Sequence, residues 1–242
     1  MNKTKESLSV ILWSLPKVEP LKEQVLKIHS MLLILKEFGD SLNPQYLAAV
    51  KNEKYEKFEI SMSNVEALLV KTVEQEQIDT KLGVGSVVDF FSSTCEKESA
   101  SIRISVGNSN PKLKNTFIIN FPADFDFDNL TELSLLFNKL VMIFNPYWGC
   151  ISSYSDARRY GGYYNHSENI PKSVFWINYW GKDIVEKLEI SEKINNTNIK
   201  ELCEAFEINE GYYIRLQKKP ADNLNEEDLS NQRKINSILG LD

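Results

Sequence analysis

Between residues 101 and 121 the chain alternates apolar and polar residues with a period of two, in two runs either side of one turn-rich break. Ile102, Ile104 and Val106 alternate with Ser101, Arg103 and Ser105. After the turn-forming stretch from Gly107 to Pro111, a second run begins at Thr116 and sets Phe117, Ile119 and Phe121 on one face. Successive side chains of a strand point to opposite faces, so the pattern predicts two half-buried antiparallel strands in a hairpin-like pair. Such a sheet needs apolar helices or a second layer to cover its inner face.

The rest of the chain supplies those helices. After Pro16 and Pro20, the residues Leu21, Val25, Ile28, Leu32 and Leu35 follow helical spacing, with Lys22, Glu23, Lys27 and Lys36 outside and Gly39 as the stop. Val65, Leu68, Leu69 and Val73 predict a second helix ending near Gln77, with Ser63 and Glu66 as its capping box. Leu133, Leu136, Phe137, Leu140 and Phe144 predict a third, capped by Asn129 with Glu132 in the reciprocal position and closed by Asn145-Pro146. Residues 226–239 predict a terminal helix. Further strands are read at 7–15, 86–91, 148–153, 174–180 and 211–216, while 40–62 is polar, with a short strand or helical turn from Tyr46 to Val50.

Strands and helices do not alternate regularly. The expectation is therefore an α+β fold, a largely antiparallel sheet packed with about four helices. The 242 residues are read as one domain spanning 1–242, the alternative being a division near residue 80.

Net charge is −6, which argues against direct nucleic-acid binding, since phosphate neutralisation needs clustered Lys and Arg. An acidic chain suits a basic protein partner, whose approach its field would steer. Cys95, Cys150 and Cys203 form an odd, sparse set without a CxxC, so neither a disulfide framework nor a zinc site is expected. Lys3 and Lys5 precede an apolar run that is too short for a signal peptide and ends at Pro16. No run approaches the roughly 18 apolar residues of a membrane span, and a cytoplasmic location is expected.

Catalytic patterns fail at named positions. A restriction-type nuclease centre would need Asp/Glu-x-Lys on a strand with an upstream Asp; Asp79-Thr80-Lys81 falls in an expected loop without one. Asp124, Asp126 and Asp128 alternate as at the start of an EF-hand loop, but Asn129 replaces the Gly at its sixth position and Leu135 the Glu at its twelfth. Their place before a helix suits the positive end of its dipole, and the interleaved Phe125 and Phe127 suggest a protein contact. Gly83-Val84-Gly85 lacks the rest of a phosphate loop. The histidines are His29, within the first helix, and His166; Cys150, His166 and Asp156 make a conceivable thiol triad, although Cys150 lies in an aromatic strand that favours a buried, inert thiol. No cofactor and no metal is expected.

Aromatics crowd residues 147 to 180. Trp176 is expected inside, whereas Tyr160, Tyr163 and Tyr164, in a Gly- and Asn-rich loop, are placed as exposed anchors. Two short motifs stand out: Pro146-Tyr147-Trp148-Gly149 after a long apolar helix, and Trp176-Ile177-Asn178-Tyr179-Trp180 before a further helix. With the order of the surrounding elements, they make the chain resemble the immunity protein 52 family of bacterial polymorphic toxin systems over nearly its whole length. Phe175 stands where that family often has Gly, and the loop from Tyr160 to Asn169 is longer. The resemblance implies an α+β antidote encoded beside its toxin, often a nuclease of restriction-endonuclease fold, with no catalytic residues of its own.

The expectation is thus a non-catalytic immunity protein that occludes the active cleft of a basic toxin and touches neither nucleic acid nor membrane. The expected contacts are Asp124, Asp126, Asp128, Tyr160, Tyr163, Tyr164, Glu207, Glu210, Glu226 and Glu227. The competing readings are a small cysteine hydrolase built on Cys150 and His166, and an adaptor without a toxin partner.

Overall fold

The computed structural model describes residues 7–48, 54–75, 83–122, 125, 127, 130–165, 167–196, 199–220 and 225–241. The chain is α+β, and its strand pairs of established register are antiparallel. By internal contacts it divides into two compact units, Met1–Ser7 with Ile11–Asn145, and Leu8–Val10 with Pro146–Asp242. The change of unit falls at the Asn145-Pro146 step rather than near residue 80.

The first unit contains β1 (Leu8–Ser14, whose first three residues count with the second unit), α1 (Leu21–Phe38), β2 (Tyr46–Ala48), β3 (Tyr55–Lys57), α2 (Met62–Gln75), β4 (Ser86–Phe91), β5 (Ser101–Val106), β6 (Asn115–Asn120) and α3 (Leu130–Phe144). Its strands lie in the order β1-β6-β5-β4-β2-β3. The period-two pattern holds: Ile104 pairs with Phe117 and Ile102 with Ile119, all four fully buried. On the outer face Arg103 meets Asp89 directly across from it on β4, through two bonds of 2.7 and 2.9 Å. The apolar faces of α1 (Val25, Ile28, Met31, Leu32, Leu35) and α3 (Leu136, Phe137, Leu140, Val141, Phe144) are sealed, and the two helices pack together.

Helix ends show where local reading stopped short. The cap of α2 is Ser61, whose Oγ accepts from the Asn64 amide at 3.1 Å; Ser63, the expected cap, already lies in the first turn. The expected cap of α3, Asn129, lies outside the described residues. Asn145, left-handed at φ 51°, follows the last turn of α3 and turns the chain before Pro146.

A buried asparagine ties this unit's loops together. Asn108 Oδ1 accepts from the Gly85 amide at 2.7 Å, and its Nδ2 donates to Ser105 Oγ at 2.8 Å. Its backbone amide donates to Asn115 Oδ1 at 2.9 Å, and its carbonyl accepts from the Lys17 amide at 2.8 Å. The ends of β1, β4 and β5 are thereby held in one place.

The second unit contains β7 (Trp148–Ser153), α4 (Tyr154–Arg159), β8 (Tyr164–Asn165), β9 (Ile170–Pro171), β10 (Ile177–Trp180), α5 (Lys182–Lys187), α6 (Ile190–Asn196), α7 (Ile199–Leu202), β11 (Glu204–Ile208), β12 (Gly211–Arg215) and α8 (Glu226–Leu239). Its main strands run in the order β11-β12-β10-β7, and β8 with β9 closes a separate small hairpin. The two motifs singled out in the sequence are neighbours here: Trp148 pairs with Trp180, Gly149 with Tyr179 and Cys150 with Asn178.

The strand expected from Val174 begins only at Ile177, because Asn178 bends the segment before it. Asn178 Oδ1 accepts from the Phe175 amide at 2.9 Å, and its Nδ2 donates to the Phe175 and Ile214 carbonyls at 2.7 and 3.2 Å. No helix among the described residues is long and apolar enough to cross a membrane.

Candidate partner-binding surface

Of the ten expected contacts, Asp124, Asp126 and Asp128 lie outside the described residues. The phenylalanine between the first two is not a contact: Phe125 is buried and packs on Phe38, Phe121 and Phe127. The three tyrosines are not exposed anchors either. Tyr164 is buried against Tyr147 and Trp148, and Tyr163 packs on Phe175 with ring centres 5.5 Å apart. Tyr160 is half-buried, and its hydroxyl donates to Gln232 Oε1 at 3.0 Å. The physical reason is the β8–β9 hairpin, which turns this Gly- and Asn-rich stretch into ordered structure.

Behind Tyr160 lies a buried polar network. Gln232, fully buried on α8, donates through Nε2 to Asp156 Oδ1 at 3.1 Å and to the Val174 carbonyl at 2.8 Å. Arg159 Nη1 and Ser152 Oγ also approach the Asp156 carboxylate, each at 3.4 Å. Asn236, one turn on, accepts from the Val174 amide at 2.9 Å and donates to Ser173 Oγ at 2.9 Å. Every group in the network has a partner, so it locks α8 in register and offers little to a ligand.

The thiol-triad reading meets the same interior. Cys150 is wholly buried on β7, and burial, with the Asp156 charge second, pushes its thiol well above its ordinary range. Only the thiolate is a strong nucleophile, so this sulfur is poorly placed for catalysis. His166 lies outside the described residues. Burial likewise raises the Cys203 thiol to about 12, whereas Cys95 is exposed. At pH 8 the folded protein should therefore titrate one fast thiol with a chromogenic disulfide, and three once unfolded in guanidinium. Two or three fast thiols in the native state would show that an interior sulfur is accessible.

What remains at the surface is the β11–β12 hairpin. Its loop, Asn209-Glu210, has both residues left-handed at φ 48° and 60°, the geometry of a type I′ turn. Gly211 is required beside it, because a Cβ there would lie 2.3 Å from the Trp180 carbonyl oxygen. The Tyr179 hydroxyl donates to the Asn209 carbonyl at 2.9 Å and holds the turn. The Trp-x-x-Tyr motif thus builds the floor beneath the hairpin.

β11 is the end strand of its sheet order. In a two-residue hairpin the flanking pair, Ile208 and Gly211, is hydrogen-bonded, and bonded pairs alternate from there. Glu204, Phe206 and Ile208 therefore spend their backbone groups on β12. Ala205 and Glu207 turn their amide and carbonyl to the open edge. Exposed Glu204, Glu207 and Glu210 surround this edge, and Glu204 is met by a cation, Arg215, at 2.7 Å. Phe206 is 39% exposed and stacks on Tyr213. The sequence reading named Glu207 and Glu210 but passed over Phe206.

Glu226 and Glu227 are also exposed, in the first turn of α8, where Asn225 Oδ1 caps the Glu227 amide at 3.0 Å and Glu226 meets Arg233 at 2.7 Å. They stabilise a helix start, a sufficient reason for their presence. Tyr154, 72% exposed at the start of α4, was also missed; the signal was Ser153, whose Oγ caps the Asp156 amide. No group of three or more His, Cys, Asp or Glu side chains among the described residues is arranged to hold a metal ion.

The fold has a counterpart among solved structures. The chain is similar to "Pseudomonas aeruginosa T6SS protein PA0821", with a TM-score of 0.64 over 97% of this chain and 72% of that one. Identity is 12%, so the likeness speaks to the fold alone. No protein-family model matches the chain, and no curated protein matches its sequence.

Proposed function

We propose that this chain is an immunity protein of a type VI secretion toxin system, related to the immunity protein 52 family. It acts in the cytoplasm by binding a cognate toxin, and it carries out no chemistry itself. The observation that carries the reading is the likeness in fold, over 97% of the chain, to a T6SS protein of Pseudomonas aeruginosa. The family-like motifs support it, since they pair as neighbouring strands and support the hairpin that carries the candidate surface.

The open acidic edge of β11 suits a basic partner. A strand from the toxin could add to Ala205 and Glu207, with Glu207 and Glu210 facing its cations and Phe206 supplying apolar area. Carboxylates along the edge would repel a second copy of the same edge and attract a basic segment, which is selectivity by charge. A nuclease of restriction-endonuclease fold, with a cleft shaped for phosphates, is the proposed partner. Occlusion of that cleft is the proposed mode of inhibition.

The test is co-expression with the adjacent toxin gene. Protection of the host and a stable one-to-one complex are expected; growth arrest without complex formation would overturn the reading. Ala205→Pro then tests the edge. It removes one outward amide and leaves the bonds to β12 intact, so stability should change by no more than about 1 kcal/mol while affinity falls at least tenfold. Full affinity in Ala205→Pro and in Glu207→Lys would leave immunity standing and place the contact elsewhere.

A further inference from the structure

In the first unit, helices α1 and α3 keep apolar side chains in solvent on their outer faces. Leu26 and Leu33 on α1 are 46% and 37% exposed, and Leu135 and Met142 on α3 are 56% exposed each. The members of each pair are seven residues apart, so each pair forms a stripe along one face of its helix. Two contacts fix how the helices run. The Lys27 ammonium lies 5.8 Å from the centre of the Phe144 ring, and Lys139 lies 3.9 Å from Glu37. The helices are therefore antiparallel, and Met142 is level with the middle of α1.

The charges on this face select its occupant. Lys22, Lys36 and Lys139 are matched in number by Glu23, Glu37 and Glu132, all exposed. A neutral face on a chain of net charge −6 favours neither a basic protein nor an anionic membrane. It favours a second copy, because α1 is complementary to itself in one direction. Two α1 helices laid antiparallel about a two-fold axis between His29 and Ser30 bring Leu26 of one copy level with Leu33 of the other, and Lys22 level with Glu37. Each end of the contact then holds two lysines and two glutamates. A parallel pair would instead set Lys22 against Lys22 and Glu37 against Glu37, which repel. Helices of 18 and 15 residues side by side offer on the order of 500 Å² per copy. A standard interface takes about 800 Å² per partner, so the contact is a weak one.

We propose that the chain forms a weak symmetric dimer with a second copy of itself, α1 lying antiparallel on α1, with Leu26 against Leu33, Lys22 against Glu37 and Met142 beside the axis. This face shares no residue with the β11 edge, so dimerisation and toxin binding can fail separately.

The experiment is sedimentation velocity of the full chain from about 5 to about 500 µM, the range in which a contact of this size dissociates. A reversible rise from monomer to dimer is expected. Leu26→Glu, at a part-exposed position, should weaken the dimer at least about tenfold while leaving the circular dichroism spectrum unchanged. Lys22→Glu and Glu37→Lys should each weaken it about fivefold, and the two combined should recover to within about twofold of the original. The recovery is specific to the antiparallel register and is not produced by a loss of folding. A monomer at every concentration, a dimer indifferent to Leu26→Glu, or a double variant that stays weak would each overturn the proposal.

Discussion

Gly85→Ala is expected to destabilise the protein by about 4 kcal/mol, a large part of the 5–15 kcal/mol that holds a typical native state. A Cβ at this position would lie 1.9 Å from the Val106 carbonyl oxygen and 2.5 Å from the Asn108 amide nitrogen. Both neighbours are backbone, so no rotamer change relieves the clash. The close approach has its own cause: the Gly85 amide donates to Asn108 Oδ1 at 2.7 Å. Moving the backbone apart breaks that bond and disturbs the other bonds of Asn108, to Ser105, Lys114 and Asn115. Overpacking costs about 1–3 kcal/mol, and a buried donor left unsatisfied adds about as much again. Urea unfolding followed by circular dichroism measures the loss. A change below about 1 kcal/mol would mean that the 83–85 segment can move away from the 106–108 loop at little cost.

Gln232→Leu is expected to cost about 3 kcal/mol, although it puts a hydrophobe of similar size into a fully buried position. The substitution strips a donor from the Asp156 carboxylate and from the Val174 carbonyl, and an acceptor from the Tyr160 hydroxyl. Asp156 thereby loses its 3.1 Å donor, while Ser152 and Arg159 stand off at 3.4 Å. A buried charge short of donors costs more than a neutral group in the same place. Asp156→Leu combined with Gln232→Leu should therefore lose less than the sum of the two single changes, a positive coupling read from a double-mutant cycle of unfolding free energies. Strict additivity would show that the two side chains act separately.

Much of the architecture was legible before any coordinates. The alternation at 101–106 and 116–121 named a hairpin because only an antiparallel strand buries every second residue. The stripes of α1 and α3 were readable because they run for four to five turns, long enough for a period of 3.6 to stand out. Helices α4 to α7, of four to seven residues, are too short to show a period, and apart from the helix placed after Trp180 they went unread. The Pro146 to Gly149 and Trp176 to Trp180 motifs could be recognised as markers, but their mutual pairing could not. They lie about thirty residues apart, and register between distant strands is a tertiary choice.

The candidate surface was legible in part. The sequence by itself determined the fold class and the placing of the longer elements, because each depends on residue type and local spacing. It also pointed to Glu207 and Glu210 as exposed acids. Only the tertiary structure decided that Tyr163 and Tyr164 pack against other aromatics and that Ala205 and Glu207 face an open strand edge. Burial and hydrogen-bond satisfaction are properties of what packs against a residue, and those neighbours arrive from far along the chain.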